Sequence, residues 1–227
     1  MTGKVDNPNQ LLGDLAYESV RKAILSNELG PGERVSEYKV AKWLNISRTP
    51  AREGLRRLES DGLLQYHPRR GLVVATINDK AFEELYAVRE LLEGAAAAMA
   101  ARNAKESELS ELKHLVELEA RMLDDPARMY TNNRSFHGAI YEAAHNQFLR
   151  KFLFLMADIV SAYRGVSTLH DETRRKEVVV EHRKLYDAIA ARDEDLAKSI
   201  AVQHVRNAFR ARVKVRRDAE KQDRKQA

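Results

Sequence analysis

The stretch Ile46 Ser47 Arg48 Thr49 Pro50 Ala51 Arg52 Glu53 Gly54 Leu55 Arg56 Arg57 Leu58 limits the fold more than any other part of the chain. Pro50 lacks a backbone N–H, so within a helix it belongs to the first turn, where that N–H has no partner to lose. Ser47 or Thr49 can cap such a helix. Leu55 and Leu58, three apart, bury one face and leave Arg48, Thr49 and Arg52 on the other. The arginines stand at the end of the helix where the macrodipole opposes them, unless an anion sits there. The stretch predicts a short helix whose first turn meets an anion, and a DNA backbone and groove would supply one.

The flanking residues extend this into a motif. Val40 Ala41 Lys42 Trp43 Leu44 has the spacing of a short helix, and Asn45 suits a left-handed terminator, so the whole reads helix, tight turn, helix. After it, two apolar runs, Leu63 Leu64 Gln65 Tyr66 and Leu72 Val73 Val74, surround the tip His67 Pro68 Arg69 Arg70 Gly71. That is a hairpin pattern. A winged helix-turn-helix is expected, with Arg69 and Arg70 placed where a narrow minor groove attracts arginine. Leu11 to Leu25 reads as the first helix of this domain, ended by Gly30 Pro31 Gly32.

With 227 residues the chain is long enough for two cores. A new helix is expected near residue 78, where Asn78 and Asp79 offer a cap and an acidic first turn. We therefore divide the chain into a winged domain over 8–77, an all-helical bundle over 78–218 and a basic tail over 219–227. The bundle reads as helices over 78–102, 106–124, 126–145, 147–168, 172–192 and 194–218. The fold class is mostly α. Charge is uneven: residues 1–77 carry +3, the middle −4, and the segment from Arg206 onward nine basic against three acidic residues, +6. The first segment has the sign of a DNA-binding module; the last is either an auxiliary phosphate contact or a solvated, fraying helix. No cysteine is present, which removes disulfides, thiolate zinc sites and cysteine nucleophiles. No apolar run nears the roughly 20 residues of a membrane span and no signal-peptide core is visible, so a cytoplasmic protein with no membrane partner is expected.

Of the seven histidines, three fall on apolar stripes of different helices. His137 shares a face with Asn133, Phe136, Ile140 and Tyr141; His182 lines up with Val178, Leu185 and Ile189; His204 lines up with Ile200, Ala201 and Ala208. Three inward imidazoles need partners for their buried nitrogens, and one divalent cation satisfies all three. With the Asn133 oxygen as a fourth ligand, the donor set suits Zn, Ni or Mn. The bland reading is three ordinary core histidines. Arg89, on the first bundle helix, could pair with a carboxylate ligand of the metal, or be tied to Glu93 one turn on.

Two resemblances follow from these residues. Glu37, Val40, Ala41, Leu44, Ser47 Arg48 Thr49 Pro50, Arg52 Glu53, Leu55, Leu58, Asp61 Gly62 Leu63, Arg70 Gly71 and Val73 resemble the DNA-binding domain of GntR-family bacterial regulators. The resemblance implies a homodimer on a palindromic operator in double-stranded DNA, with contacts from Arg34, Ser47, Arg48, Thr49, Arg52, Arg69, Arg70 and Gly71. Arg34 would be a phosphate contact, or simply a surface arginine. Gly54 stands where alanine is common. The second set, Arg89, Glu93, Asn133, His137, Asn146, Glu181 His182, Arg192 Asp193 and His204, resembles the FCD ligand-binding domain of the FadR subfamily, and six helices would point to its VanR-like branch. It implies a metal held by Asn133, His137, His182 and His204 beside a small organic acid effector. The function so implied is a ligand-responsive transcriptional regulator, read as a repressor although the sequence itself does not decide between repression and activation, and no enzyme. The alternative is a metal-dependent hydrolase with a DNA-binding appendage, for which no carboxylate stands out as general base.

Overall fold

A computed structural model describes residues 8–162 and 168–226. The chain forms two compact units, the described parts of Met1–Asn78 with Ala157–Arg164, and of Asp79–Met156 with Gly165–Ala227.

In the first unit the order is α1 (Pro8–Leu25), α2 (Glu37–Leu44), α3 (Arg48–Ser60), β1 (Leu64–His67) and β2 (Gly71–Val74). Ser36 caps α2 by accepting from the Lys39 amide, and Asn45 ends it in the left-handed region at φ 53°, which turns the chain into α3. Ser47 occupies the N-cap position of α3 without a side-chain cap bond. Strands β1 and β2 pair antiparallel from Leu64 opposite Val74 to His67 opposite Gly71. Arg34 adds a bridge to Val73 on the free side of β2. The core is Ala16, Val20, Ile24, Val35, Val40, Ala51, Leu55, Leu58, Leu63, Leu64 and Val74, joined by Ala162. Leu11 and Leu15 lie outside it, exposed, so the buried face of α1 is narrower than its leucines suggest.

Gly54 has a geometric cause. A Cβ there would stand 2.7 Å from the Tyr17 backbone nitrogen and 2.9 Å from the Gly13 carbonyl, so α1 and α3 cross with backbones nearly touching. Tyr17 then reaches over the crossing to donate to Asp61 Oδ2 at 2.7 Å.

The second unit holds α4 (Asp79–Asn103), α5 (Glu106–Glu119), α6 (Pro126–Ala143), α7 (Gln147–Ala162) as far as Met156, a 3-10 turn (Thr168–His170), α8 (Glu172–Ala190) and α9 (Glu194–Gln226). Local chemistry sets most boundaries. Asp125 caps α6 ahead of Pro126, Asn146 accepts from the Phe148 and Leu149 amides, Asp171 caps α8, and His145 and Arg192 turn left-handed at φ 51° and 60°. Ala96, Ala97, Ala100 and Ala101 are fully buried, and a Cβ on Gly94 would meet Val202 at 2.9 Å, so α4 and α9 pack close along their length. Five expectations are corrected. Helix α2 starts at Glu37, one turn ahead of Val40, because Ser36 caps it, and helix α8 stops at Ala190, not 192, where Arg192 turns left-handed. Helix α5 stops at Glu119, not 124, because residues 120–125 form tight turns before Pro126. Helix α6 stops at Ala143, where His145 leaves the helical region. Helix α9 does not end at 218 but continues through the basic stretch to Gln226, a run of strong helix formers. Residues 163–167, expected at the end of α7, lie outside the described residues.

Candidate metal centre and nucleic-acid interface

The exposed side of α3 carries the expected residues. Ser47, Arg48, Thr49 and Arg52 are exposed, as are Arg69 and Arg70 at the wing tip, Gly71 is half-buried, and Arg34 is exposed at the sheet edge. The left-handed Gly71, φ 74°, returns the chain into β2. The anion required at the start of α3 is present in the protein itself. Arg52 donates Nε to Glu37 Oε1 at 2.7 Å and a terminal nitrogen to Oε2 at 3.1 Å, while Arg48 donates to Oε2 at 3.2 Å. The Arg52 hydrogen bond is the largest influence holding the Glu37 carboxyl below its usual range. Glu37 begins α2, where its charge suits that helix as well. Its role is legible only in three dimensions, since 15 residues separate it from Arg52.

In the second unit His137 on α6, His182 on α8 and His204 on α9 converge, all buried. Their ring centroids are 5.2, 5.1 and 4.9 Å apart, and one nitrogen from each lies within 4.8 Å of the others. Phe136 stacks on His182 at 4.3 Å and walls the site. Asn133 lies one helical turn before His137, half-buried; its neighbour Asn132 faces inward and donates to the Leu115 carbonyl at 3.0 Å.

Behind each histidine stands a carboxylate. His182 Nδ1 is 2.8 Å from Glu119 Oε2, His204 Nδ1 is 2.6 Å from Glu181 Oε2, and His137 Nδ1 is 3.3 Å from Glu93 Oε2, a contact not aligned as a hydrogen bond. Metal-ligating histidines are held this way, through the nitrogen that does not bind. Glu93 also accepts from Arg89 at 2.7 Å, and Glu181 from Arg174 at 2.8 Å and Asn207 at 2.7 Å. Burial opposes the charge on Glu93 and Glu181, but their histidine and arginine neighbours outweigh it and pull both carboxyls down, Glu181 to about 2. Burial pushes His204 down to about 3 against the pull of Glu181, and lowers His182 likewise. Neutral imidazoles are what a metal needs.

Among the described residues three buried atoms lack a hydrogen-bond partner: Glu119 Oε1, His137 Nδ1 and His182 Nε2, and the last of them tests whether a cation fits. Buried polar atoms are nearly always paired, and the orphaned His182 nitrogen belongs to the converging cluster. The donor set and this unpaired nitrogen suit a divalent ion. Glu119 was not anticipated, although its signal is readable: Leu112, Val116 and Glu119 recur at helical spacing and are buried alike. Two of the remaining four histidines serve elsewhere: His145 meets Glu108 at 2.9 Å and His67 accepts from the Arg69 amide.

Two protein-family models match the chain, "Bacterial regulatory proteins, gntR family" over residues 12–74 and "FCD domain" over residues 84–207. The chain is 30% identical over 191 residues, 83% of its length, to the "Uncharacterized HTH-type transcriptional regulator YdhC" of Bacillus subtilis, covering 85% of that protein. The chain belongs to the GntR family. A second relative is the "Uxu operon transcriptional regulator" of Escherichia coli, 29% identical over 83% of this chain and 81% of that one. Among solved structures, E. coli McbR/YncC superposes with a TM-score of 0.70 at 23% identity, over 88% of this chain and 97% of that one, a likeness of fold. This GntR-family member is a DNA-binding transcriptional regulator with an FCD domain. The hydrolase alternative is set aside, because the family and these relatives are regulators. Among the described residues no helix is long and apolar enough to cross a membrane.

Proposed function

We propose that this regulator represses transcription in the cytoplasm as a homodimer on a palindromic operator, and that a small carboxylate bound at a divalent metal site modulates its operator binding. Residues 8–77 read DNA and residues 78–218 hold the metal, the effector and the dimer contacts, with α9 continuing beyond. The observation that carries this reading is the meeting of three histidines from three helices, each backed by a glutamate.

His137, His182 and His204 would hold the metal, of the Zn, Ni or Mn class, with Asn133 as fourth ligand. Such an ion supplies an electrophilic centre with positions open to an anionic oxygen donor. Arg89 gives one terminal nitrogen to Glu93 and lies over the Tyr86 ring at 4.9 Å, and its remaining N–H donors suit the second carboxylate oxygen. The six α-helices of the second unit, among the described residues, support the VanR-like branch. On DNA, Arg48, Thr49 and Arg52 read bases from α3, Ser47 and Arg34 meet phosphates, and Arg69, Arg70 and Gly71 bring the wing to the minor groove. Ligand binding alters how the two winged units of the dimer reach neighbouring half-sites. Metal analysis of protein purified without chelator tests the reading: about one Zn, Ni or Mn per chain, with thermal stabilisation on adding that metal, is expected. Absence of both would return the histidines to ordinary core residues.

A further inference from the structure

Three carboxylates back the histidine cluster, and they are not equivalent. Glu93 has Arg89 for a counter-charge, and Glu181 has Arg174. Glu119 is fully buried and meets no cation among the described residues. It touches His182 Nδ1 with Oε2, and its Oε1 has no partner at all. A buried carboxylate without a counter-ion is among the more costly things a core can contain. The other side of the same ring carries the matching anomaly, since His182 Nε2 is buried and unpartnered.

We propose that Glu119 is the positioning residue that commits the His137, His182 and His204 cluster to a divalent cation. Its Oε2 accepts from Nδ1–H of His182, which fixes the tautomer and leaves the Nε2 lone pair for the cluster. Its charge, unanswered by any arginine or lysine among the described residues, is answered by the cation across the ring. Glu93 and Glu181 orient their histidines too, but each is already neutralised by an arginine and adds no net charge to the centre. This inference rests on the metal reading above and adds to it a stability cost in the metal-free protein that binding relieves.

The substitution Glu119→Gln keeps an acceptor for His182 Nδ1–H and removes the charge; Glu117→Gln, on the exposed side of the same helix, is the control. Zinc and manganese affinities would be measured by chelator competition, and thermal midpoints on metal-stripped protein. For Glu119→Gln we expect metal affinity to fall about 10- to 100-fold, the scale of a lost supporting partner. The metal-free midpoint should be at least as high as that of the wild type, because a buried charge is gone. Glu117→Gln should change neither. An affinity loss under tenfold, a lower metal-free midpoint or a failure to fold would each overturn the proposal, since a merely structural hydrogen bond destabilises when weakened. If the wild type takes up none of zinc, manganese and nickel, measured in the same way, the metal reading fails along with this one; a wild type that binds metal while Glu119→Gln binds it equally well overturns this proposal alone.

Discussion

Arg48 and Arg52 carry their charge at the end of a helix that disfavours it, and Glu37 is the reason they can rest there. The carboxylate grips Arg52 through two nitrogens, so the guanidinium fork is held before any DNA arrives. Replacing Glu37 by Gln frees positive charge and loosens that fork. Affinity for a scrambled duplex should rise, the salt slope should steepen by up to about 0.9, and the preference for a duplex selected by the wild type should fall. Fluorescence anisotropy over a salt series reads all three. Arg52→Ala should cost about 1 to 3 kcal/mol on the selected duplex and relax one base position, as binding to single-base variants would report. The arginines were legible from sequence because their placement next to Pro50 violates the dipole rule. Glu37 as their partner and Glu119 as the partner of His182 were not, because each pairing joins different helices across 15 and 63 residues.

Helix boundaries divide by the same logic of local against distant causes. The starts at Asp125 and Asp171 and the stop at Asn45 are set by a side chain or a left-handed residue within a few positions, and the sequence shows them; the cap at Ser36, set in the same local way, was missed because the apolar spacing begins only at Val40. The narrow buried face of α1 and the true reason for Gly54 depend on how α1 crosses α3. Helix propensity alone says that Gly54→Ala would gain about 1 kcal/mol. The crossing says otherwise, since a Cβ would lie under 3.0 Å from two backbone atoms of α1. Overpacking of this kind costs about 1 to 3 kcal/mol. We expect Gly54→Ala to lower the thermal midpoint; a rise would mean that the helices separate without penalty and that Gly54 has no packing role.

Each of the two units has its own core, so damage to one site need not reach the other. The histidine cluster was visible in the sequence as three apolar stripes interrupted at one position each, a pattern that depends only on helical periodicity. Asn133 was named with them as the fourth ligand; its neighbour Asn132 is the one that turns inward, to the Leu115 carbonyl. His137→Ala should abolish metal uptake while the winged unit keeps its affinity for the selected duplex within about twofold, a difference below roughly 0.5 kcal/mol. The most direct measurement is operator affinity in the presence of metal, titrated with a panel of small carboxylates, for the wild type and His137→Ala side by side. The account predicts that at least one acid shifts wild-type affinity by about 5- to 150-fold, a coupling of about 1 to 3 kcal/mol, and leaves His137→Ala unmoved. Equal shifts in both proteins, or none in a wild type that holds its metal, would contradict it.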